Sequence, residues 1–531
     1  MTVLSGSYVP GMAAQEQLLA QALTDLSACL GRSTAVPCTL ASCAELLQAV
    51  VAWAAPGTDP GSEQGTPGKA AAAARAFAKL LEAARAASRD GDSPATAPGD
   101  SAGAELPTSV TSENAEAPGK SASLVVQSKS GWEGVVAPTS PEDGDEAPGT
   151  KEAPRTNPDI SGVGPMDPQY VLRCATVPVL LLCGAHIQDK PWTDCHSRAL
   201  AKQLLQTLLE VLNFKSVADL IKGNNQDLPF STFREALGLL GPLLCKDTWE
   251  SHPEAKLVFS WMLYQVPRPW LSDFLSRVMP PSLLFSDDYK PENKVLGICC
   301  LHHIIKNVPA ADLRQYNRAM VVYHALRNHL YTTDAEVIEV ALPCLLDLFP
   351  VLQKPPPAVG AYQKDAENPS DQVLQLVLTH MEMEHKIVMR RLYARNLPAL
   401  QERLGVRVVR HMKRLLRVIV SYLEVYDGPE ETARLCILDT LQGTIKYAWP
   451  RIPSRLPLLL KALLKLIYEV SSDPSQHSLP VREALLHSAS DCLVLLDRCC
   501  QGQVKIALEG IPAICNEPLL VKCINRVLHD T

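Results

Sequence analysis

Aromatic residues are scarce, 5% of 531, too thin a supply for the layered cores of an all-β protein of this size. A basic excess is also missing. Fifty-seven acidic side chains face 50 lysines and arginines, for a formal charge of -7, which argues against a protein built mainly to hold nucleic acid or anionic lipid. Long apolar runs are absent too: Val177 to Cys183 and Leu456 to Leu460 stop far short of the ~18 residues that suggest a membrane span. The start, Met1 to Gln17, has no basic segment leading into an apolar one. The chain is therefore expected to be neither secreted nor membrane-spanning. No C-x-x-C pair or kinase signature set occurs, so the expectation is a protein with no catalytic residue, cofactor or metal.

What the chain does have is Leu, Ala, Glu, Lys and Arg in long strings, and 16 cysteines. Without a secretory signal these read as reduced thiols, several on apolar helix faces (Cys344, Cys436, Cys492), in a cytosolic or nuclear protein. Composition divides the sequence into three zones. Residues 1–88 carry Ala/Leu-rich helical candidates at 13–30, 40–54 and 69–87, broken by a Pro/Gly-rich stretch at 56–68. Residues 89–168 turn to Pro, Gly, Ser, Thr, Ala and acid with hardly any apolar period, and read as a disordered linker.

From 169 to 531 a 3.6-residue period returns and persists. It predicts helices near 170–186, 193–213, 229–245, 253–265, 289–307, 309–330, 333–353, 370–381, 383–404, 406–426, 429–448, 455–472, 479–500 and 515–529. Strand signals are missing. Pairs such as 309–353, 383–426 and 429–472 recur at about 44 residues, within the ~40–47 residues of HEAT and armadillo units, so an α-solenoid is expected, with ordinary helical bundles as the competing reading. At Asp427-Gly428-Pro429-Glu430-Glu431, the glycine suits the end of one helix and the proline the first position of the next. Two carboxylates would then face its positive end, in a tight hairpin.

Three patterns imitate chemistry. Gly119-Lys120-Ser121 mimics the end of a phosphate-binding loop, but the first glycine and the preceding strand are missing. His380 and His385 are five residues apart, not the four that put two zinc ligands on one helix face. Cys299 and His303 have the right spacing to share a metal, but no second pair stands nearby. Ser140-Pro141-Glu142-Asp143, in the linker, fits a phosphorylation pattern that short sequences also match by chance.

The most basic stretch is Arg390 to Arg417, where Arg407, Arg410, Arg414 and Arg417 fall on one side of a helix opposite Val408, Met412, Leu415, Ile419 and Leu423. Such a ridge is either a solvated face or a surface for an acidic protein partner; aromatic residues nearby are too few to favour nucleic acid or phosphate. These four arginines are the candidate partner-binding residues. A helical-repeat protein binding nucleic acid through Arg407–Arg417 is the alternative reading of the whole chain.

Beyond patterns, a series of words stands in order: Phe259-Ser260-Trp261, Arg268-Pro269-Trp270-Leu271-Ser272, Ser286-Asp287-Asp288-Tyr289, Cys300-Leu301-His302-His303-Ile304, Asn307 to Leu313, Cys344 to Pro350, Tyr393 to Pro398 and Tyr422 to Glu431. Over about 170–525 the sequence closely resembles the Tel-two-interacting protein two family. The resemblance implies a HEAT-like, non-catalytic subunit of the triple-T co-chaperone complex, with Tel-two and Tti-one as partners. It further implies that this complex works with the heat-shock-ninety machinery to mature the phosphatidylinositol kinase-related kinases, supporting DNA-damage and growth signalling. The family's pattern supplies no catalytic or contact residue to place here.

Overall fold

Asp167, Asp194, Ser216 and Asn368 stand where four helices begin, and each side-chain oxygen accepts a hydrogen bond from a backbone N–H of the first turn, closing donors that have no partner inside the helix. The structure, a computed structural model, describes residues 40–57, 65–90, 167–223, 230–353, 368–473 and 475–530. The helix expected at 13–30, nearly all of the linker, Gly119-Lys120-Ser121 and Ser140 lie outside them. Among the described residues all regular structure is helical.

In chain order the α-helices are α1 (Leu40–Ala54), α2 (Thr66–Asp90), α3 (Pro168–His186), α4 (Cys195–Val211), α5 (Val217–Lys222), α6 (Ser231–Leu240) and α7 (Pro253–Leu263). Then follow α8 (Leu275–Ser286), α9 (Pro291–Asn307), α10 (Ala310–Arg314), α11 (Arg318–His329), α12 (Ala335–Leu352), α13 (Pro369–Met383) and α14 (Ile387–Leu404). The last are α15 (Met412–Leu423), α16 (Thr432–Ala448), α17 (Leu456–Ser472), α18 (Leu479–Cys499), α19 (Gln503–Leu508), α20 (Ile511–Ile514) and α21 (Pro518–Leu528).

Five antiparallel pairs make the body: α8 with α9, α11 with α12, α13 with α14, α15 with α16 and α17 with α18. The second helices pack in succession, α9 on α12, α12 on α14, α14 on α16 and α16 on α18, while α13, α15 and α17 follow one another in the other layer. This is the all-α, HEAT-like solenoid that the periodicity predicts. The pairs begin at 275, 318, 369, 412 and 456. Two of the three pairs expected from sequence, 383–426 and 429–472, are thus one helix out of phase.

The N-terminal helices are part of the same stack. α1 and α2 pack on α3, α2 also packs on α4, and α3 reaches α7. Leu47, Phe77, Leu80 and Leu81 are fully buried in one continuous core with Val171, Ala175 and the body of the solenoid. Apolar stripes on both sides explain this: α1 and α2 have no separate core of their own to fold around. Among the described residues α3 is long and apolar enough, by length and composition, to cross a membrane, more than the short run Val177 to Cys183 suggests. Most of it is buried between its neighbours.

Three local expectations need correcting. The helix expected at 309–330 is broken: Tyr316 and Asn317 take left-handed conformations between α10 and α11. α8 is not among the expected helices; Pro280 and Pro281 lie inside it, where packing on α9 overrides propensity. At 427–431 there is no tight hairpin. α15 ends at Leu423 and α16 begins at Thr432, leaving Pro429 outside both helices.

Candidate functional site

The described links that lead from one pair to the next, 308–317, 405–411 and 449–455, lie along one edge of the stack, and they are built alike. Glycine starts one of them: Gly405 ends α14 at φ +53°, a conformation that costs a residue with a Cβ about 1–2 kcal/mol. Val406, Val408 and Val409 follow, β-branched and poor at extending an α-helix, and the chain runs as a 3-10 helix over Gly405–His411 before α15 begins. Two more 3-10 turns, Trp449–Arg451 and Pro453–Arg455, join α16 to α17, and Gln315–Asn317 precedes α11. Each of these exposes one large apolar residue, Tyr316, Val406 or Trp449. Each also carries cationic side chains: Arg314, Arg407 with Arg410, or Arg451 with Arg455.

The predicted ridge is split by this geometry. Arg407 and Arg410 stand on the 3-10 segment, whose three-residue turn sets them one above the other, and both are exposed. Arg407, Arg451 and Arg455 have no ion pair among the described residues, while Arg410 lies 4.0 Å from Asp371, whose other oxygen accepts from His411 at 2.9 Å. Arg414 and Arg417 belong to α15 and turn away to α13. Arg414 grips Glu382 with two bonds, Nε to Oε1 at 3.2 Å and Nη2 to Oε2 at 2.9 Å, and Arg417 approaches the same carboxylate at 3.7 Å. That grip holds the Glu382 carboxyl below its ordinary range. Arg414 is therefore a structural clamp between α13 and α15. Arg417 instead lines a shallow groove of about 430 Å³ with Lys413 and Arg455.

A model of the Tti2 family matches residues 243–429. TELO2-interacting protein 2 of Homo sapiens is 53% identical over 353 residues, 66% of this chain and 68% of that protein. The chain belongs to the Tti2 family. The Rattus norvegicus protein of the same name is 50% identical over 356 residues, covering 67% of this chain and 69% of its own. Among solved structures the "Kap95:Nup1 complex" covers 68% of this chain and 44% of that chain at 12% identity and TM-score 0.40, too distant to add to the helix packing itself. The Tti2 match spans the solenoid from α6's end to Pro429, and so includes all four ridge arginines but not Arg451 or Arg455.

Elsewhere in this Tti2-family chain, the patterns that imitate chemistry have structural occupations. Burial raises the Cys299 thiol, which disfavours the thiolate a metal needs, and His303 donates from Nε2 to the Val266 carbonyl at 3.1 Å. Among the described residues no three His, Cys, Asp or Glu side chains converge. His380 stacks flat on Tyr393 at 5.9 Å.

Sequence reasoning missed the loop before α16. Glu431 is fully buried at φ +49° and accepts from Arg434 at 3.1 Å and His477 at 2.8 Å. Burial, with the Asp427 carboxyl beside it, pushes its carboxyl up to about 8. Asp427 in turn accepts from the Ala433 amide at 2.7 Å and from Arg391 at 3.3 Å. The acidic pentapeptide was visible; its burial depends on Arg391, Arg434 and His477, which lie too far along the chain to be read as partners.

Proposed function

We propose that the chain is a non-catalytic scaffold subunit that assembles with a Tel-two-type protein and with Tti-one into a triple-T co-chaperone. The assembly works with the heat-shock-ninety machinery to mature and stabilise phosphatidylinositol kinase-related kinases, in the cytoplasm and nucleus, and so supports DNA-damage and growth signalling. The observation that carries this reading is the 53% identity over 353 residues to a protein named for its interaction with TELO2. A stack of helix pairs suits the task, since its long edges let many modest contacts add up. The link edge, with Arg407, Arg410, Arg451 and Arg455 around Val406 and Trp449, is the contact surface for an acidic subunit.

The unpaired Arg407, Arg451 and Arg455 beside exposed Trp449 favour one second reading, nucleic-acid binding. Affinity purification of the tagged chain from cells, with stoichiometric identification of what co-elutes, tests the first. Two other large helical subunits are expected; recovery of nucleic acid alone, lost steeply with salt, would favour the second.

A further inference from the structure

The turns that close the five pairs lie on the edge opposite the links, and side chains join each to the next. His329 at the end of α11 meets the Ser286 hydroxyl at 3.4 Å. Tyr331 meets His380 edge-on at 6.3 Å. Arg391 bridges to Asp427 and Glu430, and Tyr426 packs on His477 at 5.6 Å and donates to the Gln476 carbonyl. The five turns therefore form one continuous ridge.

Along it, Tyr289, Tyr331, Met383, Val388, Tyr426 and Leu479 are between 43% and 74% exposed. Scattered exposed apolar residues mean little, but a row in and beside successive turns marks an interaction surface. Its foundation is fixed: His380 is stacked on Tyr393, the buried Arg390 guanidinium lies 3.7 Å over the Tyr422 ring, and Glu431 is held by Arg434 and His477. Anchors ordered beforehand lose little entropy when a partner arrives. The turn residues 287–290, 330–334, 384–386, 424–431 and 473–478 hold nine carboxylates and two lysines. Asp288, Asp427 and Glu431 among them are buried. Arg391 and Lys465 offset Glu430 and Glu424, and an acidic excess remains.

We infer that this ridge is a second interface, for a partner helix with an apolar stripe flanked by lysine or arginine. The inference rests on the scaffold reading and deepens it: with a basic link edge and an acidic turn edge, the chain bridges two partners of opposite charge. The lengths fit. Helices in contact lie ~8–10 Å apart, so the four turns from Tyr331 to Leu479 span roughly 25–30 Å, the length of a helix of about 20 residues.

The test uses the full chain and a synthetic 20-residue Leu/Lys amphipathic helix, labelled for fluorescence anisotropy at physiological salt, beside its Leu/Glu counterpart. Saturable binding of the Leu/Lys helix is expected, at least tenfold tighter than Leu/Glu once Arg407→Glu with Arg451→Glu has removed the attraction of the link edge for acid. Met383→Ser with Val388→Ser and Tyr426→Ser should weaken it at least tenfold, whereas Arg407→Glu with Arg451→Glu should not weaken it. Val388→Lys alone, which sets a cation against the cationic helix, replaces the triple variant if that one melts early. Equal binding of both helices by the link-edge variant, or Leu/Lys binding indifferent to the ridge substitutions, would overturn the inference. Co-purification with a TELO2-type subunit is scored separately on the native chain: its loss with peptide binding intact removes the scaffold reading and leaves the ridge.

Discussion

At the scale of single residues, two positions show how closely the stack is fitted. A Cβ added at Gly297 would lie 2.2 Å from the Ser286 amide nitrogen and 2.7 Å from its Cα, backbone that cannot swing aside. Gly297→Ala is therefore expected to destabilise the fold by about 3 kcal/mol, by prising α9 from α8; an unchanged urea midpoint would contradict so close an approach. His186, at the end of α3, is buried and donates to the Ala54 carbonyl at 3.1 Å. Desolvation lowers its pKa to about 4, although that bond opposes the shift. The unfolded chain takes up this proton near pH 6.5 and the folded chain only near 4. The stability from keeping His186 neutral is thus fully present above about pH 6.5 and is lost as pH falls through that window, by about 2–3 kcal/mol at pH 4.5. His186→Gln, which keeps a neutral donor, should flatten the fall in urea midpoint between pH 7.5 and 4.5 by that amount; identical acid dependence in both proteins would show that His186 titrates normally.

At the scale of elements, Arg414 and Arg407 separate what the sequence joined. Reversing Arg414 to Glu removes two bonds to Glu382 and sets two carboxylates against each other across α13 and α15. A loss of about 1–2 kcal/mol is expected at this partly exposed clamp. Arg407→Glu, exposed and unpaired, should change stability by roughly 0.5 kcal/mol or less. Equal thermal shifts in the two variants would contradict the split of the ridge. The 3.6-residue period made most helices legible, because each must bury one stripe. It could not tell which neighbours form a pair: links and turns are similar in length and share Gly, Pro and Asp, so only tertiary contact sets the phase. Gly405 was a readable signal for the break that divides the ridge, followed as it is by three valines in four residues. α8 was not legible, since the packing that carries it through Pro280 and Pro281 comes from α9, outside the local window. The buried set around Glu431 was illegible for the same reason, its partners coming from α14, α16 and the loop before α18.

At the scale of the whole molecule, α1 and α2 complete the first layers although residues 91–167 separate α2 from α3 in sequence. Burial of Leu47, Val50, Phe77, Leu80, Leu81 and Ala84 against α3 and α4 removes apolar surface worth about 1.5–3 kcal/mol for each large side chain. Limited proteolysis within residues 91–166 is thus expected to leave the N-terminal fragment bound, the two pieces eluting together until denaturant is added. Separation of the nicked pieces in native buffer would contradict a shared core. The larger claim is that the solenoid exists to join other subunits, its basic link edge and acidic turn edge facing different partners. The most direct measurement is the light-scattering mass of the native chain mixed with purified TELO2-type and Tti-one subunits. The account predicts a single species with the mass of one copy of each, lighter by the acidic partner alone when Arg407, Arg451 and Arg455 are reversed to Glu with helicity unchanged. Three components migrating at their separate masses with the native chain would contradict it.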